Sequence, residues 1–446
     1  MTRSVRPRAP RPPPRFSFDG GAIALLEPAH AIPLVSIVIA LRCGSDADPS
    51  GQSGLARIAM RMLRRGCTGM TAEQIDFRID ALGAEVAVDT SASSVAMHVQ
   101  VIARSLDGLV DLLGAMLGSP TFEEGELERL KRETIAEIED ARDSDRIVAQ
   151  KALQRTLFEG HAYGHNPGGT VESVRAIGLD DVVAFYRRFV VKANVIIGIA
   201  GDVTADRVPD VIAKLTAGMA TGERAPDAVS DPTMRPGRRL LVVDKPERSQ
   251  TQILVATLGT SPHDEDHVPL YVANAVFGGT FTSRLMREVR SKRGWSYGAS
   301  TRTSVDRHRQ AWTLWTFPAS VDAAPCLSLV LNLLDTWVEH GVTAREVAFI
   351  KRYLVRSHAF DIDTPQKRLH QALDVELLGL PQDYFTGWLD RVRAVDADSA
   401  SRAVARRIRP EDLLCVTVAT AAQILEPLQA AIPRLAETRV VPFDTE

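Results

Sequence analysis

The sequence predicts an α+β protein of two tandem homologous domains, each a mostly antiparallel sheet packed with helices. Three observations lead there. The order of strand-like and helix-like stretches in the first half recurs in the second, displaced by roughly 200 residues, which marks a duplicated domain because solenoid repeats are far shorter. Strand patterns follow one another through short turns, with neither the strict βαβ alternation of a doubly wound parallel sheet nor a glycine-rich phosphate loop. A length of 446 residues with 45% hydrophobic content suffices for at least two cores. The expected divisions are a disordered arm at 1–16, a first domain at 17–221, a linker at 222–238 and a second domain at 239–446.

Taken in order, LVSIVIAL (34–41) has the length and β-branching of a buried strand, and GLARIAMRML (54–63) sets Leu55, Ile58 and Met62 at helical spacing. TAEQIDFRIDAL (71–82) reads as a helix capped by Thr71, and EVAVDT (85–90) and SVAMHVQV (94–101) as two alternating strands. A long helix, SLDGLVDLLGAML, precedes the break at SPTF (119–122), and EEGELERLKRETIAEIED is a charged amphipathic helix. VIIGIAGDV (195–203) is a strand feeding a closing helix. The second half repeats this with QILVATLG (252–259), LYVANAVFGG, SYGAST, RQAWTLWTF, the long helix PCLSLVLNLLDTWVEHG, VTAREVAFIKRYLV (342–355), LLCVTVAT (413–420) and a last helix AAQILEPLQAAIPRLA. Trp312 and Trp315 are an odd number apart on one strand, so one should face the core and the other outward.

Composition excludes several classes of partner. A formal charge of −3 has no basic bias of the kind a phosphate backbone requires, so no nucleic acid is expected. Cys43, Cys67, Cys326 and Cys415 form no CxxC pair and suit free thiols in a reducing, cytoplasmic setting. The basic, proline-rich MTRSVRPRAPRPPPRF lacks the apolar core of a secretory signal, and its prolines oppose an amphipathic transit helix. LVSIVIAL is too short to span a bilayer, so no membrane partner is expected.

Three stretches together carry a specific resemblance: GQSGLARIAMRML, the segment 160–203 beginning GHAYGHNPGGTVESV, and FGGTFTSRLMREVRSKRGWSYGAS (277–300). Over roughly residues 16–440 the chain resembles the M16 (pitrilysin or insulinase-like) zinc peptidases, in particular their short bacterial type with two tandem domains. The resemblance implies a first-domain helix bearing H-x-x-E-H, whose histidines hold zinc and whose glutamate is the general base, and a third ligand, a glutamate, about 75 residues later. The spacing is sound, since i, i+3 and i+4 share a helix face. This sequence departs at every slot of the motif, with Arg57, Met60 and Arg61. Arginine offers no lone pair to a metal, and methionine takes no proton from water. Only Glu137, 76 residues beyond Arg61, falls where the third ligand would be. No metal and no cofactor are therefore expected in this chain, and Glu137 is expected to pair with Arg57 or Arg61.

In the second domain the family carries an arginine and a tyrosine seven residues apart, which hold the substrate backbone and stabilise the oxyanion. Arg290 and Tyr297 match that spacing and follow the family's lead-in GGTFTSRL. On spacing alone, Arg290 reads better as a solvated member of a basic cluster with Arg284, Arg287, Lys292 and Arg293, and Tyr297 as the start of a strand; the surrounding motif reverses that reading. The resemblance implies the non-zinc subunit of a heterodimeric metallopeptidase. It would be inactive alone and would supply Arg290 and Tyr297 to an H-x-x-E-H partner chain that carries zinc and cleaves peptides. The alternative is a non-catalytic scaffold or peptide-binding protein of the same fold.

Other candidates read as structural. HAYGH (161–165) lies in a loop, HDEDH (263–267) in a solvated turn, and His98, His358 and His370 stand alone. ALGAEVAVDT (81–90) stands where active relatives have a substrate-pairing strand, but Val86 and Ala87 make that pairing doubtful here.

Overall fold

The computed structural model describes residues 12–227 and 229–445 as two halves of shared topology. The first half runs β1 (Arg15–Ser17), β2 (Ile23–Pro28), β3 (Leu34–Leu41), α1 (Leu55–Met62), the short pair β4 (Gly66–Cys67) and β5 (Met70–Thr71), then α2 (Ala72–Leu82). It continues with β6 (Glu85–Thr90), β7 (Val95–Ile102), α3 (Leu106–Gly118), α4 (Glu124–Asp140), α5 (Asp145–Leu157), α6 (Val171–Ala176), α7 (Leu179–Phe189), β8 (Val195–Gly201) and α8 (Val208–Thr216). The second half comprises β9 (Arg238–Asp244), β10 (Gln252–Leu258), α9 (His267–Phe277), β11 (Ala299–Thr303), β12 (Ala311–Thr316), α10 (Ala323–His340) and α11 (Ala344–Asp361). It ends with α12 (Pro365–Leu378), α13 (Trp388–Ala394), α14 (Ala397–Arg407), β13 (Leu414–Ala419), α15 (Ala421–Ala431) and β14 (Leu435–Pro442).

Each half builds one six-stranded sheet, in the orders β1-β2-β8-β3-β7-β6 and β14-β9-β13-β10-β12-β11. Five strands, β2-β8-β3-β7-β6 and β9-β13-β10-β12-β11, correspond one to one. β2 pairs with β8, and β9 with β13, in parallel, while the remaining pairs among them are antiparallel. The sixth strand breaks the symmetry: β1 enters from the N-terminal side antiparallel to β2, whereas β14 enters from the C-terminal side parallel to β9. Two expectations are corrected here. Of the arm expected at 1–16, residues 1–11 lie outside the described residues, and Arg15 and Phe16 belong to an edge strand rather than to a disordered segment. The last helix stops at Ala431, and the chain turns back through Leu435–Pro442 as β14.

Burial follows the patterns of the strands. In β7, Val95, Met97, Val99 and Val101 point into the first core while the residues between them face the other way. β3 and β8, central in their sheet, are buried on both faces and accordingly read as continuous apolar runs. What covers the second face is a helix from the other half. α5 lies across β10 and β13, where Val148, Ala152, Leu153 and Leu157 share a core with Leu254, Val416 and Val418. In return α12 lies across β2 and β8, with Leu369 and Leu373 against Leu25, Val38 and Ile196. Gly198 of β8 permits the approach, since a Cβ there would stand 3.0 Å from Leu369 Cδ2.

α10 with its flanking turn (320–340) is long and apolar enough to cross a membrane, yet Leu327, Val330, Leu331, Leu334 and Trp337 fill the second core. Trp312 enters that core too, its indole donating to Asn274 Oδ1 at 2.8 Å. Trp315 faces the other way as expected, but it is half-buried: it stacks on Phe317 at 4.8 Å and lies under Arg146 of the exchanged α5 at 4.3 Å.

Because Leu369 is fully buried on the first half's sheet while belonging to the second half, Leu369→Ala should cost about 2–5 kcal/mol. It should also move a single cooperative transition in urea, read by fluorescence and circular dichroism together. Two separate transitions, one per half, would contradict the interlock.

Candidate functional site

α1 is fixed at its start by Asp48, whose carboxylate accepts the backbone N–H of Gly54 at 2.7 Å and of Ala56 at 2.8 Å, a cap supplied from outside the helix. Burial pushes this carboxyl up to about 7 against the pull of those N–H groups. Gly54 itself has φ of 96°, and a Cβ there would stand 3.0 Å from Gly169, so glycine is needed on both counts. Leu55, Ile58 and Met62 form the buried seam that the periodicity predicts.

The opposite face of α1 carries Arg57 and Arg61, and Arg65 continues the four-residue spacing just beyond the helix end. Facing them on α4 are Glu137, Glu133 and Glu126. Arg57 Nη2 lies 2.9 Å from Glu137 Oε2, and Arg61 donates to both oxygens of the same carboxylate at 2.9 and 3.2 Å. Arg61 also reaches the buried Thr134 hydroxyl at 3.2 Å, and Arg65 bridges Glu133, with Glu126 at 3.8 Å. Glu137 therefore pairs with both arginines, where the sequence allowed either. Partial burial acts to raise its carboxyl, but the two guanidiniums, Arg61 foremost, outweigh that and hold it below the usual range. The rungs through Arg65 escaped the sequence reading, although the spacing 57, 61, 65 was there to signal them.

This donor set does not fit zinc. Two of its three motif positions are guanidiniums, the one carboxylate is engaged by both, and Met60, in the slot of the general base, is fully buried in the first core. Among the described residues no three His, Cys, Asp or Glu side chains gather in a metal-binding group.

Arg290 and Tyr297 come together beside the second half's edge strand. Arg290 lies in a π-helical turn, Met286–Ser291, a backbone form often met at functional sites, and Tyr297 stands just before β11. The guanidinium carbon is 5.6 Å from the Tyr297 ring centroid and 4.7 Å from that of Phe281. Both rings are open to solvent, 82% exposed for Tyr297 and 71% for Phe281. The neighbouring cations are spoken for: Arg284 holds Glu346 through two bonds of 2.7 and 2.8 Å, while Arg287, Lys292 and Arg293 share Glu288. Arg290, by contrast, has no carboxylate within ion-pair distance among the described residues, which separates it from the basic cluster. A free guanidinium fork beside a free phenol can hold a peptide carbonyl and donate a hydrogen bond to a developing oxyanion. Phe281 escaped the sequence reading, because an aromatic in GGTFTSRL gives no sign of lying against a residue nine positions on.

The remaining candidates have structural partners. In HAYGH, His161 contacts the Ser230 carbonyl oxygen at 2.8 Å and His165 that of Ser45 at 3.0 Å. HDEDH is a turn solvated only in part: His263 and Glu265 are exposed, but Asp266 and His267 are buried, and Arg407 clamps Asp264 at 2.9 Å and Asp266 at 2.7 Å, tying the start of α9 to α14. His98 and His370 do not stand alone but stack on each other across the two halves at 5.7 Å. β6 is the outer strand of its sheet, and its Val86 and Val88 turn inward against the first core.

Comparison with known proteins finds two matching family models: "Insulinase (Peptidase family M16)" over residues 24–170 and "Peptidase M16 inactive domain" over residues 176–354. The chain is 21% identical over 369 residues to a Helicobacter pylori protein named "Non-peptidase homolog YmxG", covering 83% of this chain and 85% of that one. It is 23% identical over 402 residues to "Uncharacterized zinc protease SCO5738" of Streptomyces coelicolor, covering 88% and 86%. Its fold is shared with the crystal structure of a peptidase M16 inactive domain from Pseudomonas fluorescens, with a TM-score of 0.84, 22% identity, and coverage of 91% of this chain and 97% of that one.

The arginine ladder is half-exposed, so Glu137→Gln should cost about 1 kcal/mol or less, and less still in 1 M salt. A folded carboxyl held below its ordinary 4.5 stabilises above that value, and its contribution fades as pH falls through the depressed one. Urea unfolding at pH 7 and pH 3 should therefore show the gap between wild type and variant closing in acid. A gap of 3 kcal/mol or more would mean a sealed ion pair instead, and one that widens in acid would contradict the depressed carboxyl.

Proposed function

The chain belongs to the M16 peptidase family with a degenerate zinc motif, and from that membership we propose that it is the non-zinc subunit of a two-chain metallopeptidase. In this reading it supplies Arg290 and Tyr297 to a site whose zinc and H-x-x-E-H motif are carried by a partner chain. The observation that carries the proposal is the contrast between its two half-sites. Arg57 and Arg61 are satisfied by Glu137 within the chain, whereas Arg290 has no carboxylate among the described residues and lies against two solvent-exposed rings. A catalytic pair kept open while the metal face is closed suits a chain that works on another chain's zinc.

The division of labour follows from the chemistry. The partner's zinc would polarise the scissile carbonyl and lower the pKa of the attacking water. This chain would hold the substrate backbone through the Arg290 fork and donate the Tyr297 hydroxyl to the oxyanion, an interaction that strengthens only as negative charge develops. The substrate would be a peptide in extended form. The four cysteines, all free and buried, suit a cytoplasmic setting. A scaffold role is the second reading, favoured by the name "Non-peptidase homolog" borne by one relative.

Co-expression with an H-x-x-E-H chain encoded beside this one should yield chelator-sensitive peptidase activity that neither chain has alone. In that complex Tyr297→Phe should lower kcat by roughly 10² to 10³ with little change in KM, the usual effect of removing one oxyanion donor. An unchanged kcat, or no activity in the complex, would favour the scaffold.

A further inference from the structure

A second cavity, separate from the Arg290 and Tyr297 pair, lies at the other end of β11 among α9, α12 and α13. It has a volume of about 240 Å³ and is walled by Tyr271, Tyr384, Phe385 and Trp388, with Asp374 and Thr303 among its lining residues. The rings cluster: Trp388 has Tyr271 at 5.2 Å and Tyr384 at 5.9 Å between centroids, and Phe385 adjoins Tyr384 at 5.1 Å.

The charge balance of this wall is unusual for a chain with 53 lysines and arginines. None of the cavity's lining residues is a lysine or arginine. Its one histidine, His267, is pushed down to about 4 by burial and is therefore neutral at pH 7, with Nδ1 3.0 Å from the Thr260 hydroxyl oxygen. Arg391 covers Tyr384 at 4.7 Å but does not line the cavity. Asp374 is the only acid there, and among the described residues it has neither an ion-pair partner nor a hydrogen-bond donor. Its side chain is open to solvent yet walled in by protein, and the crowding raises its carboxyl to about 6, with His370 pulling the other way and Asp306 adding to the rise. Two further oxygens in the wall, Tyr384 Oη and Thr303 Oγ1, are buried without a hydrogen-bond partner.

From this arrangement we infer that the cavity binds an organic ammonium ion of about the size of a lysine head group. The aromatic faces attract a weakly hydrated cation, and the unpaired Asp374 carboxylate supplies the counter-charge. A hydrated metal ion gains little from the rings, and an anion meets Asp374. The inference stands on this cavity alone and does not depend on the peptidase reading.

The test uses the full chain labelled with 5-fluorotryptophan, with the Trp388 signal assigned by its loss in Trp388→Phe. Titration with n-butylammonium chloride should shift that ¹⁹F signal saturably, with a dissociation constant in roughly the millimolar range, and the neutral 1-pentanol should bind about tenfold more weakly. Asp374→Asn should weaken butylammonium about tenfold while leaving pentanol unchanged. N-acetyl-lysinamide distinguishes the source: tighter binding than butylammonium assigns the site to a peptide side chain, and weaker binding to a free amine. Equal affinity for amine and alcohol, an unaffected Asp374→Asn variant, or the absence of any shift would overturn the inference.

Discussion

The reciprocal exchange of α5 and α12 is the constraint on which the rest of the molecule depends. A sheet whose central strands are apolar on both faces must be covered on both, and here each half lends one helix to cover the other's second face. Each buried leucine or valine in such a contact contributes about 1.5–3 kcal/mol, and several cross the boundary in each direction. A linker alone would let the halves hinge. Two interleaved helices hold α1 and the edge of β11 in one fixed relation.

Within that frame the two half-sites have opposite fates. Along α1 and just past its end, three arginines at four-residue spacing close against the carboxylates of α4, and the buried Met60 seals the helix from beneath. The ladder adds little stability, because its members are half-exposed and screened. Its effect is to leave no free ligand on the helix face where the family carries its metal motif. Around Arg290 the reverse holds: two large aromatic rings stay in solvent and a guanidinium lies against both. Surface aromatics with a cation among them are what interfaces draw on for tight contact.

Much of this was legible in the sequence where the signal is local. The runs at 34–41 and 195–203 read as strands, their lack of alternation explained by burial on both faces at the sheet centre, and the seam Leu55, Ile58, Met62 gave α1 its inner face. The pairing of Glu137 followed from charge and from its place at the third-ligand slot that the family resemblance implies. What escaped was non-local. Periodicity shows that α5 and α12 are amphipathic but not which sheet they cover, so the exchange was invisible. β1 and β14 pair through their backbones at the sheet edges, and half-exposed edge strands carry weak side-chain patterns. The burial of Met60 was out of reach for a related reason: its motif slot says nothing of packing, and packing against the first core decides where its side chain goes. The clamp of HDEDH by Arg407 joins residues about 140 positions apart, a distance over which a sequence offers no register.

The central claim is that this chain holds no zinc and completes a site that belongs to another. Native mass spectrometry of the chain alone, and of the chain co-purified with an adjacent H-x-x-E-H subunit, addresses it most directly. The account predicts a metal-free single chain and a heterodimer containing one zinc, which disappears when the partner's histidines are replaced and persists in Glu137→Gln. Zinc bound to the isolated chain, or a failure of the two chains to associate, would contradict it.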